Sequence, residues 1–216
     1  MKTLATSDRS ALIRLAASLP KGSDERRVIL AGLIKSATVE ANVPGKHIFG
    51  RAEVSGNAQV VEDARVSDYA RVYGNAKVSD RAMVMSLAQV YENAEVFGNA
   101  KVDQKARVFG NAKVYGSATV SGDAFVTGDA EVFGDALLLA AAKVFGNAKV
   151  YGNASMAYGA RAYGNAEVFG KAQLGKYAEV FGNAKIGGTA ILLGGKWDGS
   201  EGPILEGRWE GPGIPA

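Results

Sequence analysis

Apolar residues recur at every sixth position of this chain, from Ile48 through Val54, Val60 and Val66 to Ile186 and Leu192, with no polar exception. Two residues before each one from Val54 onward stands an alanine, from Ala52 to Ala190. The unit is Ala-x-Val-(Phe/Tyr)-Gly-Asn, seen in Val72-Tyr73-Gly74-Asn75-Ala76-Lys77 and again in Val108-Phe109-Gly110-Asn111-Ala112-Lys113. A helix of about 3.6 residues per turn cannot hold one face in register at a spacing of six over such a length. Short strands can, because residues two apart point the same way. Ala and Val then face inward, and the residues between and after them face outward. Gly-Asn is expected to make the turn, since both residue types tolerate left-handed backbone.

Three such strands per coil would give a true period of 18, and columns read at that interval are coherent. Asn57, Asn75, Asn93, Asn111, Asp129, Asn147, Asn165 and Asn183 form one of them. Beside it, the glycine column from Gly56 to Gly182 departs only at Glu92. The outward column Lys77, Glu95, Lys113, Glu131, Lys149, Glu167, Lys185 alternates in sign. Strands stacked about 4.8 Å apart would set each Lys between two Glu and avoid like-charge neighbours. The pattern predicts an all-β solenoid, a triangular parallel β-helix of about eight coils and about 40 Å at that rise.

These residues resemble the hexapeptide-repeat superfamily of left-handed parallel β-helices, which includes acyltransferases and carbonic-anhydrase-like proteins. The wording Val-Phe-Gly-Asn-Ala-Lys-Val-Tyr-Gly-Asn-Ala is similar to the YdcK-like group of uninterrupted coils. The resemblance covers about two thirds of the chain, and it alone supplies the left hand, since most strand crossovers are right-handed.

The ends differ from the repeat and divide the chain into residues 1–46, the β-helix at 47–193, and a tail at 194–216. The first segment reads as a helical hairpin. Ser7 or Asp8 caps a stretch with Ala11, Leu12, Leu15, Ala16 and Leu19 on one side, which Pro20 and Gly22 stop. Ser23 caps a second stretch, with Val28, Ile29, Leu30, Leu33 and Ile34 as its apolar side. No long apolar region marks it as a secretory signal, and no apolar run is long enough for a membrane span. The Gly- and Pro-rich tail, with Trp197, Trp209, Ile204 and Leu205, is expected to cap the open end of the last coil.

Charge and composition narrow the chemistry. Lys and Arg number 25 against 22 Asp and Glu, a net charge of +3, so the chain is not a polycation built for nucleic acid. The ends carry opposite excess, with eight basic and four acidic residues in 1–46 and two against four in 194–216. Without cysteine there is no disulfide, thiolate zinc site or Cys nucleophile. The single histidine, His47, is too few for a carbonic-anhydrase-like zinc centre, so no metal is expected. The resemblance to transferases implies a general-base histidine in a groove between subunits. His47 is the one candidate, yet it precedes the first repeat and no loop interrupts the frame, so it reads as an ordinary connector residue. Asp123, Asp129 and Asp135 read as turn formers in place of Asn.

Two surface features remain. Aromatic residues run along two edges, Tyr73, Tyr91, Phe109, Phe145, Tyr163 and Phe181 on one, and Phe97, Tyr115, Phe133, Tyr151 and Phe169 on the other. Placed at outward positions, they either stack on themselves and stabilise the coil or offer a surface for sugars, nucleobases or a partner protein. The third face is small and apolar, with Met83, Met85, Leu87, Leu137, Leu139, Ile191 and Leu193, as well as Thr119, Ser121, Ser155, Ala157, Ala140 and Ala141. A patch of that extent is usually covered, by the N-terminal hairpin or by another subunit.

The expectation is a non-catalytic structural or binding scaffold that self-associates, as a trimer in one arrangement, or binds a protein or carbohydrate partner, with no cofactor. The alternative, resting on resemblance, is an acyltransferase-like enzyme using acetyl-CoA or another acyl-CoA. A bacteriophage or cell-surface component is a third reading. The cytoplasm is the favoured compartment, with a virion or cell surface left open.

Overall fold

The computed structural model describes residues 47–211. The expected helical hairpin at 1–46 and the last five residues of the tail lie outside the described residues. Each hexapeptide contributes a strand of two residues, such as Arg71–Val72, Lys77–Val78 and Met83–Val84. Every third strand pairs in parallel, giving three sheets of nine, eight and nine strands. The first sheet runs from Glu53–Val54 to Lys196–Trp197, the second from Gln59–Val60 to Lys185–Ile186, and the third from Arg65–Val66 to Arg208–Glu210. The register is the 18-residue one, with Val54 opposite Val72 and Lys113 opposite Glu131.

The core follows from the alternation. From Val60 and Ala64 to Ala172 the inward Ala and Val columns are fully buried, with Leu138, Met156 and Ala162 taking valine positions. Alanine stands where the chain turns inward beside a corner, and the larger valine fills the space each strand leaves toward the axis. The backbone is satisfied between turns, as in Gln59 N–H to Ala76 C=O at 2.9 Å and Tyr115 N–H to Val132 C=O at 2.9 Å.

The corners correct one expectation. Only the first residue of Gly-Asn takes left-handed backbone, as at Gly74 (φ 73°) and Gly110 (φ 72°). A Cβ on Gly110 would come within 2.8 Å of the Gly128 nitrogen one turn on, so this column favours glycine by both torsion and space. The asparagines instead build a side-chain ladder across the turns.

The solenoid has about nine turns rather than eight, because the tail continues the stack. Lys196 pairs with Glu179 and Trp209 with Leu192 at a spacing of 17 residues, while Ile204 bridges Ile186 at 18. The strict period is lost there, although pairing is not. Trp197 and Ile204 face inward and are buried, whereas Trp209, in the last described strand, stays 41% exposed. The two indoles meet edge to face at 5.5 Å and donate their N–H groups to the Gly194 and Glu206 carbonyls. Leu205 faces outward and is exposed.

Candidate functional site

The chemistry of this protein lies on its three faces and corners, so the surface ladders are the candidate sites. On the second sheet, sign alternation becomes physical contact. Lys149 reaches Glu131 at 3.3 Å, Lys185 reaches Glu167 at 3.0 Å, and Lys113 lies 3.9 Å from Glu95. The first sheet has Arg71 on Glu53 and Arg161 on Glu179, each at 3.1 Å. Exposed pairs of this kind are individually weak. Their alternation from turn to turn keeps like charges from standing next to each other along the stack.

The aromatic edges are self-stacked. Tyr73, Tyr91 and Phe109 lie parallel at 4.9 and 4.8 Å. Phe145, Tyr163 and Phe181 follow at 4.8 and 5.2 Å. On the other edge Phe97, Tyr115, Phe133, Tyr151 and Phe169 form an unbroken run of five rings. All are half-buried, and of the two arrangements the sequence left open the rings adopt the stacked one. Each ring inside a run has both faces covered by its neighbours, so a sugar or base cannot stack on it.

Acceptors on the charge ladder tie the second run down. Tyr115 donates to Glu131 at 2.9 Å and Tyr151 to Glu167 at 3.0 Å. Burial, then the hydrogen bond and charge of Glu131, push the Tyr115 hydroxyl up to about 12. For Glu131, burial acts upward, but the Tyr115 hydroxyl and Lys149 outweigh it and hold the carboxyl below its ordinary value. Glu167 is held low chiefly by Lys185 and by Tyr151.

The asparagine column is continuous from Asn57 through Asn75, Asn93 and Asn111 to Asp129, each Nδ2 donating to the next Oδ1 at 2.9 to 3.1 Å. It resumes from Asn147 through Asn165 to Asn183. Asp123, Asp129 and Asp135 do occupy that position of the repeat. Acids at the glycine position of the hexapeptide have a different role, not expected from sequence. Glu62, Asp68, Asp80 and Glu92, all with positive φ, accept the backbone N–H one turn on, from Asp80, Ser86, Gly98 and Gly110. The signal was an acid standing where the repeat has glycine.

The third face is apolar in two patches rather than one. Met83 and Thr119 both pair with Lys101, which separates them, and Asp103 accepts from the Ser86 hydroxyl at 2.6 Å. Met83 and Met85 are half-buried and Leu87 is exposed. The patch beyond Lys101 carries Leu137 and Leu139, 39% and 37% exposed, with Ile191 and Leu193 half-buried. Its corner adds Tyr158 and Tyr177, the most exposed large apolar side chains described, at 72% and 75%. Both hold positive φ, a strained state for an aromatic residue. An aromatic residue in or beside the glycine column was the signal that sequence reading passed over.

His47 begins the third sheet's stack and lines a shallow depression of about 490 Å³ with Phe49, Asp63, Arg65, Arg81 and Met83. Among the described residues no group of acids and histidine is placed to hold a metal ion, and no helix is long and apolar enough to cross a membrane.

Fold and surface together define a triangular β-solenoid with three parallel sheets. Residues 106–122 match the family model described as the YdcK β-solenoid repeat, in agreement with the resemblance read from the repeat itself. No curated protein matches the chain.

Proposed function

We propose that this protein is a non-catalytic scaffold, a rigid solenoid that associates with further copies of itself through the apolar part of its third face. The observation that carries this reading is the patch of Leu137, Leu139, Ile191, Leu193, Tyr158 and Tyr177. Leu137, Leu139, Tyr158 and Tyr177 are exposed there beside the half-buried Ile191 and Leu193, and the two tyrosines rest on strained backbone. Ladders of rings, amides and ion pairs stiffen the other edges, as a spacer or platform requires. The left hand of the coil and the N-terminal helical hairpin, both carried from the sequence, belong to this proposal. Light scattering after size exclusion tests it. The intact chain should run as an oligomer, with a trimer as the expected form, and Leu139→Asp should shift it toward the monomer. A monomeric native chain would overturn the reading.

The acyltransferase alternative is favoured by one observation, the depression that His47 shares with Asp63, Arg65 and Arg81. An imidazole sharing a depression with a carboxylate suits a general base, and two guanidinium groups suit the phosphates of an acyl-CoA. It requires turnover of acetyl-CoA that His47→Ala abolishes.

A further inference from the structure

One turn interrupts two ladders at the same corner. Thr127 stands in the aromatic column between Phe109 and Phe145, placing a short branched side chain where its neighbours carry rings. Phe109 and Phe145 are therefore two ladder steps apart, where the steps on either side, between Tyr91 and Phe109 and between Phe145 and Tyr163, are 4.8 Å. Neither carries a stacked ring on its Thr127 side, and the ring position that Thr127 leaves unfilled is a slot one ladder step from each. Phe125, in the outward row alongside, leans on Phe109 at 6.2 Å and 43° and walls this slot on the side of the first sheet. Among the described residues no ring pair joins Phe125 to Phe145.

Two residues on, Asp129 interrupts the amide ladder. It accepts from Asn111 at 2.9 Å, but a carboxylate has no proton to pass on, and the Asn147 oxygen is left without the donor its counterparts have. Two acceptors thus face each other in the turn where a ring is missing. On the other flank the outward row is cationic, with Arg107 and Lys143 on either side of Phe125 and the Lys143 ammonium 5.0 Å from its ring centre. Glu131 and Lys149 continue the alternating row on the second sheet. A cationic ligand would meet Lys143 and Arg107, so a neutral one fits better.

We propose that this interruption binds a neutral planar aromatic ring bearing an exocyclic amino group, such as an aminopurine. The ring stacks between Phe109 and Phe145 over Thr127, and the amino group donates to Asp129 and Asn147. Base stacking on aromatic side chains is a strong, shape-tolerant source of affinity, and the amino contact sets the orientation. This site lies off the third face and does not depend on self-association.

The test uses the full chain and 2-aminopurine, whose fluorescence is quenched by stacking. The wild type should quench it saturably. Thr127→Phe completes the ring column and should weaken binding at least tenfold. Asp129→Asn completes the amide ladder, occupies both acceptors, and should weaken it at least threefold. Both variants install the residue type of the neighbouring turns, so their circular dichroism should match the wild type. Absence of saturable quenching by the wild type, or unchanged binding by Thr127→Phe, overturns the site. Unchanged binding by Asp129→Asn alone overturns the amino contact.

Discussion

Glu131→Lys tests whether charge alternation helps to hold the register. Glu131 sits between Lys113 and Lys149 in adjacent strands, touches Lys149 at 3.3 Å, and accepts the Tyr115 hydroxyl at 2.9 Å. Its side chain is 29% exposed and that of Lys149 is 48% exposed, so the ion pair is worth only about 0.2 to 1 kcal/mol. The tyrosine bond to a charged acceptor adds about 1 kcal/mol at this exposure. Glu131→Gln, which keeps an acceptor, should therefore cost about 1 kcal/mol. The lysine variant loses both contacts and gains two like-charge neighbours, each costing about 0.2 to 1 kcal/mol, for a total of about 1.5 to 4 kcal/mol. In a chain of this size that lowers the thermal midpoint by about 3 to 16 °C. The assay is thermal unfolding by circular dichroism at low salt and in 1 M NaCl, where screening contracts to about 3 Å. The lysine variant should recover part of its deficit in high salt, and the glutamine variant much less. If the two melt together at low salt, or if the gap ignores salt, the ladder does not act through charge.

The same contacts predict how stability depends on pH. Glu131 and Glu167 are held below their ordinary value, so their contribution is complete above the pKa of a free glutamate and is lost as pH falls through the lowered values. The midpoint should fall on acidification, and less so in Glu167→Gln. Tyr115 is raised, so its contribution is complete below pH 10 and disappears as pH rises toward about 12, an effect that Tyr115→Phe should remove from an alkaline melt. Val114 is fully buried at mid-stack, and Val114→Asp would put an unpaired carboxylate in the core. It should unfold the central turns, and an unchanged melt would refute the register.

Much of this was legible in the sequence because the period never varies within the repeat. Lys77 to Lys185 could be read as one column, and the structure places them on one sheet in that order. The ninth turn was not legible, because residues 196–210 keep the pairing while changing the spacing to 17. Hydrogen bonding across turns tolerates a shorter corner that a fixed count does not. The aromatic columns were visible, but whether a ring lies flat on its neighbour or stands free depends on side-chain torsions that periodicity does not report. The third face seemed continuous only while Lys101 and Asp103 were left out of its columns. Tyr158 and Tyr177 stand at the Gly and Asn positions of the hexapeptide, whose exposure the inward Ala and Val columns do not report.

The alternating charge row also sets how such a molecule can change in length. The inward Ala and apolar columns recur in every turn, so removing or adding 18 residues leaves an apolar residue at each buried position. The outer row of the second sheet repeats only after two turns, and a single-turn deletion would bring Lys against Lys or Glu against Glu at the junction. Length is therefore free to vary in steps of 36 residues and is penalised at odd multiples of 18. The solenoid is a ruler whose inner graduations are twice as fine as its outer ones.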